Sequence, residues 1–172
     1  RRSYWISGTI RIMRKEYLTK IIVDTARKQE IDCIVDFQMA MAKESEGLDL
    51  DKGTVKEGVS KVIEYIYLGH YYLAYDSENP ECGPIGCMMV TREWSDWTNS
   101  EYYWLQSVYV KPEYRRWGVF TQMVQWLENN VKYKDVKSLR LYVDKGNEAA
   151  KKCYKKLGLK PCHYSMYEKA LK

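Results

Sequence analysis

The sequence predicts a mixed α/β fold, a mixed central sheet with helices on both faces. Two observations carry this. Stretches that are apolar at every second position alternate with stretches whose apolar residues recur every three or four, in the order β-α-α-β-β-β-α-β-α-β. The 172 residues, 45% of them apolar, are enough to bury one good core, and no linker, internal repeat or low-complexity segment divides them. The expectation is a single domain over residues 1–172, with residues 1–19 as an N-terminal extension.

Residues 20–27 (KIIVDTAR) read as the first strand. From Glu30 to Lys43, Ile31, Ile34, Val35, Gln38, Met41 and Ala42 share one helical face, with Asp32 favourably placed in the first turn. The acidic stretch ESEGLDLDKG reads as a loop. A second helix spans Thr54 to Leu68, with Thr54 and Glu57 spaced as a capping box and Gly69 as its stop. Three strands follow, Tyr71 to Tyr75, Pro84 to Thr91 and Tyr102 to Val110, separated by the turn-rich DSENPECG and by a loop, REWSDWTNSE. Phe120, Val124, Leu127 and Val131 form the stripe of a third helix. Leu139, Leu141 and Val143 alternate as a strand, Asn147 to about Leu157 reads as a fourth helix with Gly158 at its exit, and His163 to Tyr167 reads as a last strand.

Composition narrows the function classes. Charged residues make up 30% and mean hydropathy is −0.56. No apolar run approaches the roughly 18 to 20 residues of a membrane span, and the opening residues lack the apolar core of a signal peptide. Cys33, Cys82, Cys87, Cys153 and Cys162 are odd in number and scattered, with only His70 and His163 to assist a metal. That usage suits reduced thiols in the cytoplasm and argues against a disulfide frame or a metal site. Residues 1–110 hold 13 Lys/Arg against 17 Asp/Glu, a balance of −4, whereas residues 111–172 hold 15 against 6, a balance of +9. A basic C-terminal part suits a polyanionic small molecule, and an acidic N-terminal part suits a cation. No nucleic-acid motif of known geometry is present. Hydrolase chemistry is not indicated either, because Ser107 lies in LQSVYV rather than in G-x-S-x-G.

The most informative stretch is VYVKPEYRRWGVF, residues 108–120, which joins a strand to a helix through a turn with two arginines and one glycine. Such a turn directs backbone N–H groups and the positive end of a helix dipole at one point, which is how a phosphate is cradled. Gly118 lets the backbone approach an oxygen without a Cβ in the way, and Arg115 and Arg116 add charge.

Arg115-x-x-Gly118 after this strand, followed by N147EAAKKCYKKLGL159, resembles the GCN5-related N-acetyltransferase (GNAT) family. There the turn reads [Q/R]-x-x-G-x-[G/A] and the later helix reads N-x-x-A-x-x-x-Y-x-x-x-G-[F/L]; Asn147, Ala150, Tyr154 and Gly158 fall on those positions. The resemblance covers about residues 20–170. It departs at Phe120, where the family has Gly or Ala, and the apolar stripe implies that this ring turns into the core.

The resemblance implies a sheet whose central strands splay, with the pantetheine arm of acetyl-CoA lying in the gap as an added strand against Val108, Tyr109 and Val110. The diphosphate would sit on the turn formed by Arg115, Arg116, Trp117, Gly118, Val119, Phe120 and Thr121. Asn147 would hydrogen-bond the pantetheine, with Ala150 beside it, and Lys151, Lys152, Lys155 or Lys156 would meet the adenosine phosphate. Tyr154 occupies the position of the general acid that protonates the leaving thiolate, and a backbone N–H near Val108 that of the oxyanion donor.

Acetyl transfer needs a neutral amine, yet a lysine-like amine has a pKa of about 10.4, so a base or a water chain to one is required. The strand before the turn carries Gln106 and Ser107 where several family members carry Glu or Asp. The search therefore moves to loop acids: Glu93 as the candidate base, with Asp96, Glu44 and Glu46 lining the acceptor side. With Trp94, Trp97, Tyr102, Tyr103 and Trp104, these acids suit a cation. The pattern resembles the small-amine and polyamine branch of the family. The expected partner is a small-molecule amine, with no nucleic acid and no membrane; a homodimer is compatible with the reading. Acetylation of a protein lysine or N-terminus, and a CoA-binding module without catalysis, stay open as alternatives.

Overall fold

A computed structural model describes residues 21–131 and 134–171. The expected extension, residues 1–19, and Lys20 of the first strand lie outside the described residues. The chain divides into two compact units, one ending at Leu141 and one beginning at Tyr142.

The first unit is built on five strands in the spatial order β1-β2-β3-β4-β5. β1 (Ile21–Thr25), β2 (His70–Asp76), β3 (Pro84–Ser95) and β4 (Ser100–Val110) pair antiparallel, and β5 (Val136–Leu141) lies parallel to β4. The sheet is mixed, as the sequence predicts. α1 (Ile31–Glu46) and α2 (Lys52–Glu64) cover one face. There Ile34, Val35, Phe37 and Val59 bury themselves against Tyr71, Leu73, Cys87 and Tyr109. α3 (Val119–Val131) covers the other, its Trp126 ring 5.0 Å from that of Tyr72. Tyr71 and Tyr72 thus look to opposite faces, as period-2 alternation requires. Leu73 is fully buried beneath α1 and α2. Leu73→Ala should therefore cost ~2–5 kcal/mol in a urea unfolding curve, by lost burial plus the cavity left behind.

Several boundaries differ from expectation. α1 continues through the acidic stretch to Glu46 and ends at Gly47, so Glu44 and Glu46 belong to its last turn and not to a loop. The expected capping box of α2 gives way to Asp51, whose carboxylate accepts from the Thr54 N–H at 2.7 Å and from its hydroxyl at 2.8 Å. α2 stops at Glu64, short of Gly69. Gly69 serves β3 instead: its φ is +145°, and a Cβ there would sit 2.7 Å from the Val90 carbonyl oxygen. Lys52–Asp36 and Lys56–Asp32 ion pairs tie α2 to α1; being exposed, they fix register more than stability.

The stretch expected as a loop, REWSDWTNSE, is mostly hairpin. β3 runs on to Ser95, β4 starts at Ser100, and only residues 96–99 turn. Arg92 to Trp94 are polar or exposed, which hides strand character, but their backbone pairs with Glu101 to Tyr103. α3 is headed by Val119, buried, while Phe120 is only partly so; the ring does not head the core stripe.

The second unit carries α4 (Glu148–Lys156), capped by Asn147, whose side-chain oxygen accepts from the Ala150 N–H at 3.0 Å. β5 stops at Leu141, before Val143. The expected last strand at His163–Tyr167 does not form: these residues are exposed and pair with no strand among the described residues. The alternation of aromatics there has no buried face to fill. All five cysteines are free thiols. No helix among the described residues is long and apolar enough to cross a membrane.

Candidate active site

The β4 strand positions the site. Its pairing with β3 runs to Gly86 opposite Val110, but Met89 faces Ser107 while Val90 faces Leu105, so Gln106 is an extra residue, a β-bulge. Pairing with β5 ends one residue earlier, at Leu105 opposite Leu141. From the bulge onward no strand among the described residues pairs with the other edge of β4. The Lys111 N–H bonds to Ile85 on β3 at 2.9 Å. Strand alternation then turns the backbone groups of Val108 and the N–H of Val110 to that edge, as a strand-adding ligand would need, while the Val110 carbonyl accepts from Arg115.

Beyond β4 the chain makes a 3₁₀ turn at Pro112–Tyr114, held by Tyr114 N–H to Lys111 O at 2.9 Å, and enters α3 through Arg115 to Gly118. Two residues in this turn are left-handed, Arg116 at φ +68° and Gly118 at φ +82°. Alternating hand turns successive N–H groups to one side, as in an anion-binding nest. Gln122 N–H donates to Gly118 O at 3.0 Å, and helix geometry gives the first-turn amides no carbonyl four residues back. Trp117 packs edge-on against Tyr114 at 5.2 Å, and Thr121 lies in the first turn of α3. On this observation the turn fits a phosphate group.

Arg115 is committed within the protein. Its Nε donates to the Val110 carbonyl at 2.9 Å and its Nη2 to Glu44 Oε2 at 2.6 Å; the other oxygen of Glu44 accepts from the Tyr109 hydroxyl at 2.8 Å. The Tyr109 phenol and then Arg115 hold the Glu44 carboxyl below its usual range, while burial and then Glu44 push the Tyr109 phenol up.

Glu93 and Trp104 lie where β4 is still flanked by both β3 and β5. Glu93 accepts from Trp104 Nε1 and from Arg140 Nη1, at 3.2 Å for Oε1. The Arg140 guanidinium lies 3.5 Å over the Tyr102 ring. Glu93, Tyr102 and Trp104 thus gather around a cation of the protein itself, Arg140. Trp94 and Asp96 lie at the exposed hairpin tip, and Glu46 at the exposed end of α1. Beside the bulge, Gln106 donates to Thr91 at 2.8 Å and Gln38 of α1 donates to Ser107 at 3.2 Å. Sequence reasoning missed Arg140, whose only signal is a polar position between Leu139 and Leu141, and it missed the partners of Glu44.

In the second unit, Tyr154 is half-buried on α4, and desolvation pushes its phenol up. Lys151 is held by Glu148 at 2.8 Å and by the Lys145 carbonyl, while Lys152, Lys155 and Lys156 lie farther along the same helix. No three His, Cys, Asp or Glu side chains among the described residues are gathered to hold a metal.

A mixed sheet that parts at β4 and β5, with a left-handed turn leading into a helix, defines an acetyltransferase fold. The profile of the Acetyltransferase (GNAT) family matches residues 48–159, and the chain belongs to this family. It is similar to a possible acetyltransferase from Clostridium difficile 630, with 35% identity over 88% of this chain and 98% of that one and a TM-score of 0.80. An aminoglycoside N-acetyltransferase in complex with CoA shares the fold at 11% identity, covering 87% and 94% of the two chains, TM-score 0.71. So does a ribosomal-protein-alanine N-acetyltransferase from Brucella melitensis biovar Abortus 2308, at 12% identity, 88% and 99% coverage and TM-score 0.68. A comparison with curated proteins returned no match.

Proposed function

We propose that the protein is an N-acetyltransferase that moves the acetyl group of acetyl-CoA to a primary amine, a small cationic one. The observation that supports this most is the open edge of β4 running into the left-handed turn at Arg116 and Gly118. Acetyl-CoA brings an activated acyl group on a good leaving thiolate. The backbone of Val108 and the N–H of Val110, whose carbonyl is taken by Arg115, would hold its pantetheine arm, and the amides from Arg116 to Thr121 its diphosphate. A backbone N–H at the gap near Val108 would stabilise the developing oxyanion. Asn147 keeps its side-chain NH₂ for a ligand while its oxygen caps α4.

Tyr154 is the proposed general acid. Its raised phenol keeps its proton throughout the neutral range, so it is always in the form that can protonate a departing thiolate. The base is proposed to be Glu93, acting directly or through water. Because Arg140 and Trp104 occupy its oxygens, Glu93 must exchange one of these partners for the incoming ammonium. Asp96 and Glu46, with Trp94, supply the remaining negative and aromatic surface. Glu93→Gln and Asp96→Asn should each lower kcat/KM for the best amine by about 1.5–3 kcal/mol, the scale of a charged hydrogen bond. Wild-type kinetics in both would put the acceptor elsewhere.

The reading is tested by assaying acetyl-CoA with polyamines, amino acids, aminoglycosides and a histone-tail peptide. Polyamines or other small cations should react best. Preference for the peptide would shift the reading to a protein acetyltransferase.

A further inference from the structure

We propose that Glu44 and Tyr109 are positioning residues that brace Arg115 against the end of β4, so that the diphosphate is held by the backbone of the turn and not by the Arg115 side chain. This rests on reading the turn as the acetyl-CoA cradle. Three bonds make the brace: Arg115 Nε to Val110 O at 2.9 Å, Arg115 Nη2 to Glu44 Oε2 at 2.6 Å, and Tyr109 hydroxyl to Glu44 Oε1 at 2.8 Å. The guanidinium also lies 5.3 Å from the Tyr109 ring centroid. Two anchors on different nitrogens of one planar group fix its orientation, so Arg115 cannot swing out to a ligand without breaking a charge-assisted bond.

The brace sits where it is needed. The next residue, Arg116, is a non-glycine in the left-handed region, a conformation that persists only when its surroundings impose it. Arg115 links that residue back to the carbonyl that ends β4 and across to the last turn of α1. The N–H groups of the turn are thereby oriented before any ligand arrives, which lowers the ordering cost of binding. Glu44 lies one helical turn or less from Gly47, so the brace also joins the turn to the end of α1.

The alternative is that Glu44 holds Arg115 in reserve and releases it to a phosphate. The two predict opposite signs for Glu44→Gln. Acetyl-CoA affinity is measured by calorimetry for the whole protein and for Glu44→Gln, Tyr109→Phe, Arg115→Gln, Arg115→Lys and the double variant Glu44→Gln/Arg115→Gln, with Tm as a folding control. The brace predicts that Glu44→Gln weakens binding about tenfold and that Arg115→Gln does the same. It also predicts that the double variant is no worse than either. Arg115→Lys should behave like Arg115→Gln, because an ammonium keeps the charge but cannot span both anchors. Tyr109→Phe should show a smaller loss of the same sign. Tighter binding in Glu44→Gln, additive losses, or wild-type affinity in Arg115→Lys would each overturn the brace while leaving the cradle intact. A folded wild-type protein that binds no acetyl-CoA would overturn both.

Discussion

Gly118→Glu should abolish acetyl-CoA binding in a protein that remains folded. Two effects act at this position. Gly118 sits at φ +82°, where any side chain costs about 1–2 kcal/mol of strain. The added carboxylate would also bring a negative charge to the proposed cradle, repelling a diphosphate of the same sign. Gly118→Ala separates them, since it carries the strain without the charge. We expect wild-type affinity in the roughly micromolar range, a modest loss in Gly118→Ala, and no detectable binding in Gly118→Glu by calorimetry. Unchanged affinity in a folded Gly118→Glu protein would remove the turn from the cofactor site.

The second large effect is expected at Tyr154. Tyr154→Phe keeps the ring on α4 and deletes only the hydroxyl, and an unchanged Tm in the variant separates proton donation from any structural bond that hydroxyl makes. We expect kcat to fall by roughly ten- to a thousandfold, with little change in acetyl-CoA affinity. The pH profile gives an independent check. Burial raises the Tyr154 phenol above its ordinary value near 10, so the acid form persists through neutrality and any loss assigned to this group falls on the far alkaline side. Turnover within about twofold of wild type, with chemistry rate-limiting, would leave Tyr154 a packing residue.

Much of the fold was legible because it depends on local chemistry. The stripe of α1, the alternation of β2 and β4 and the glycine of the turn before α3 all leave period or turn signals in the sequence. The family was legible for the same reason: Arg115-x-x-Gly118 and the Asn147 to Gly158 spacing are short-range patterns. What escaped was set by partners distant in sequence. Glu93 looked like a loop acid, because a strand exposed on one face and rich in polar residues loses its alternation; only pairing with Tyr102 makes it strand. Glu44 looked like part of an acceptor pocket, and nothing near it in the chain announces Tyr109 or Arg115. The bulge at Gln106 is a mismatch between two strands and has no single-strand signature. The false strand at His163 failed in the opposite way, with a local pattern and no partner to pair with.

Transfer of acetyl from acetyl-CoA to an amine is the proposed reaction. It is tested most directly by a single turnover with acetyl-CoA labelled in the acetyl group, enzyme in excess, and the best amine of the panel. Label is expected in an amide of that amine together with an equal amount of free CoA, at a rate far above hydrolysis and greatly slowed in Tyr154→Phe. Tight binding of acetyl-CoA with the label left on CoA or released only as acetate, for every amine tried, would contradict it and define a CoA-binding protein that does not transfer.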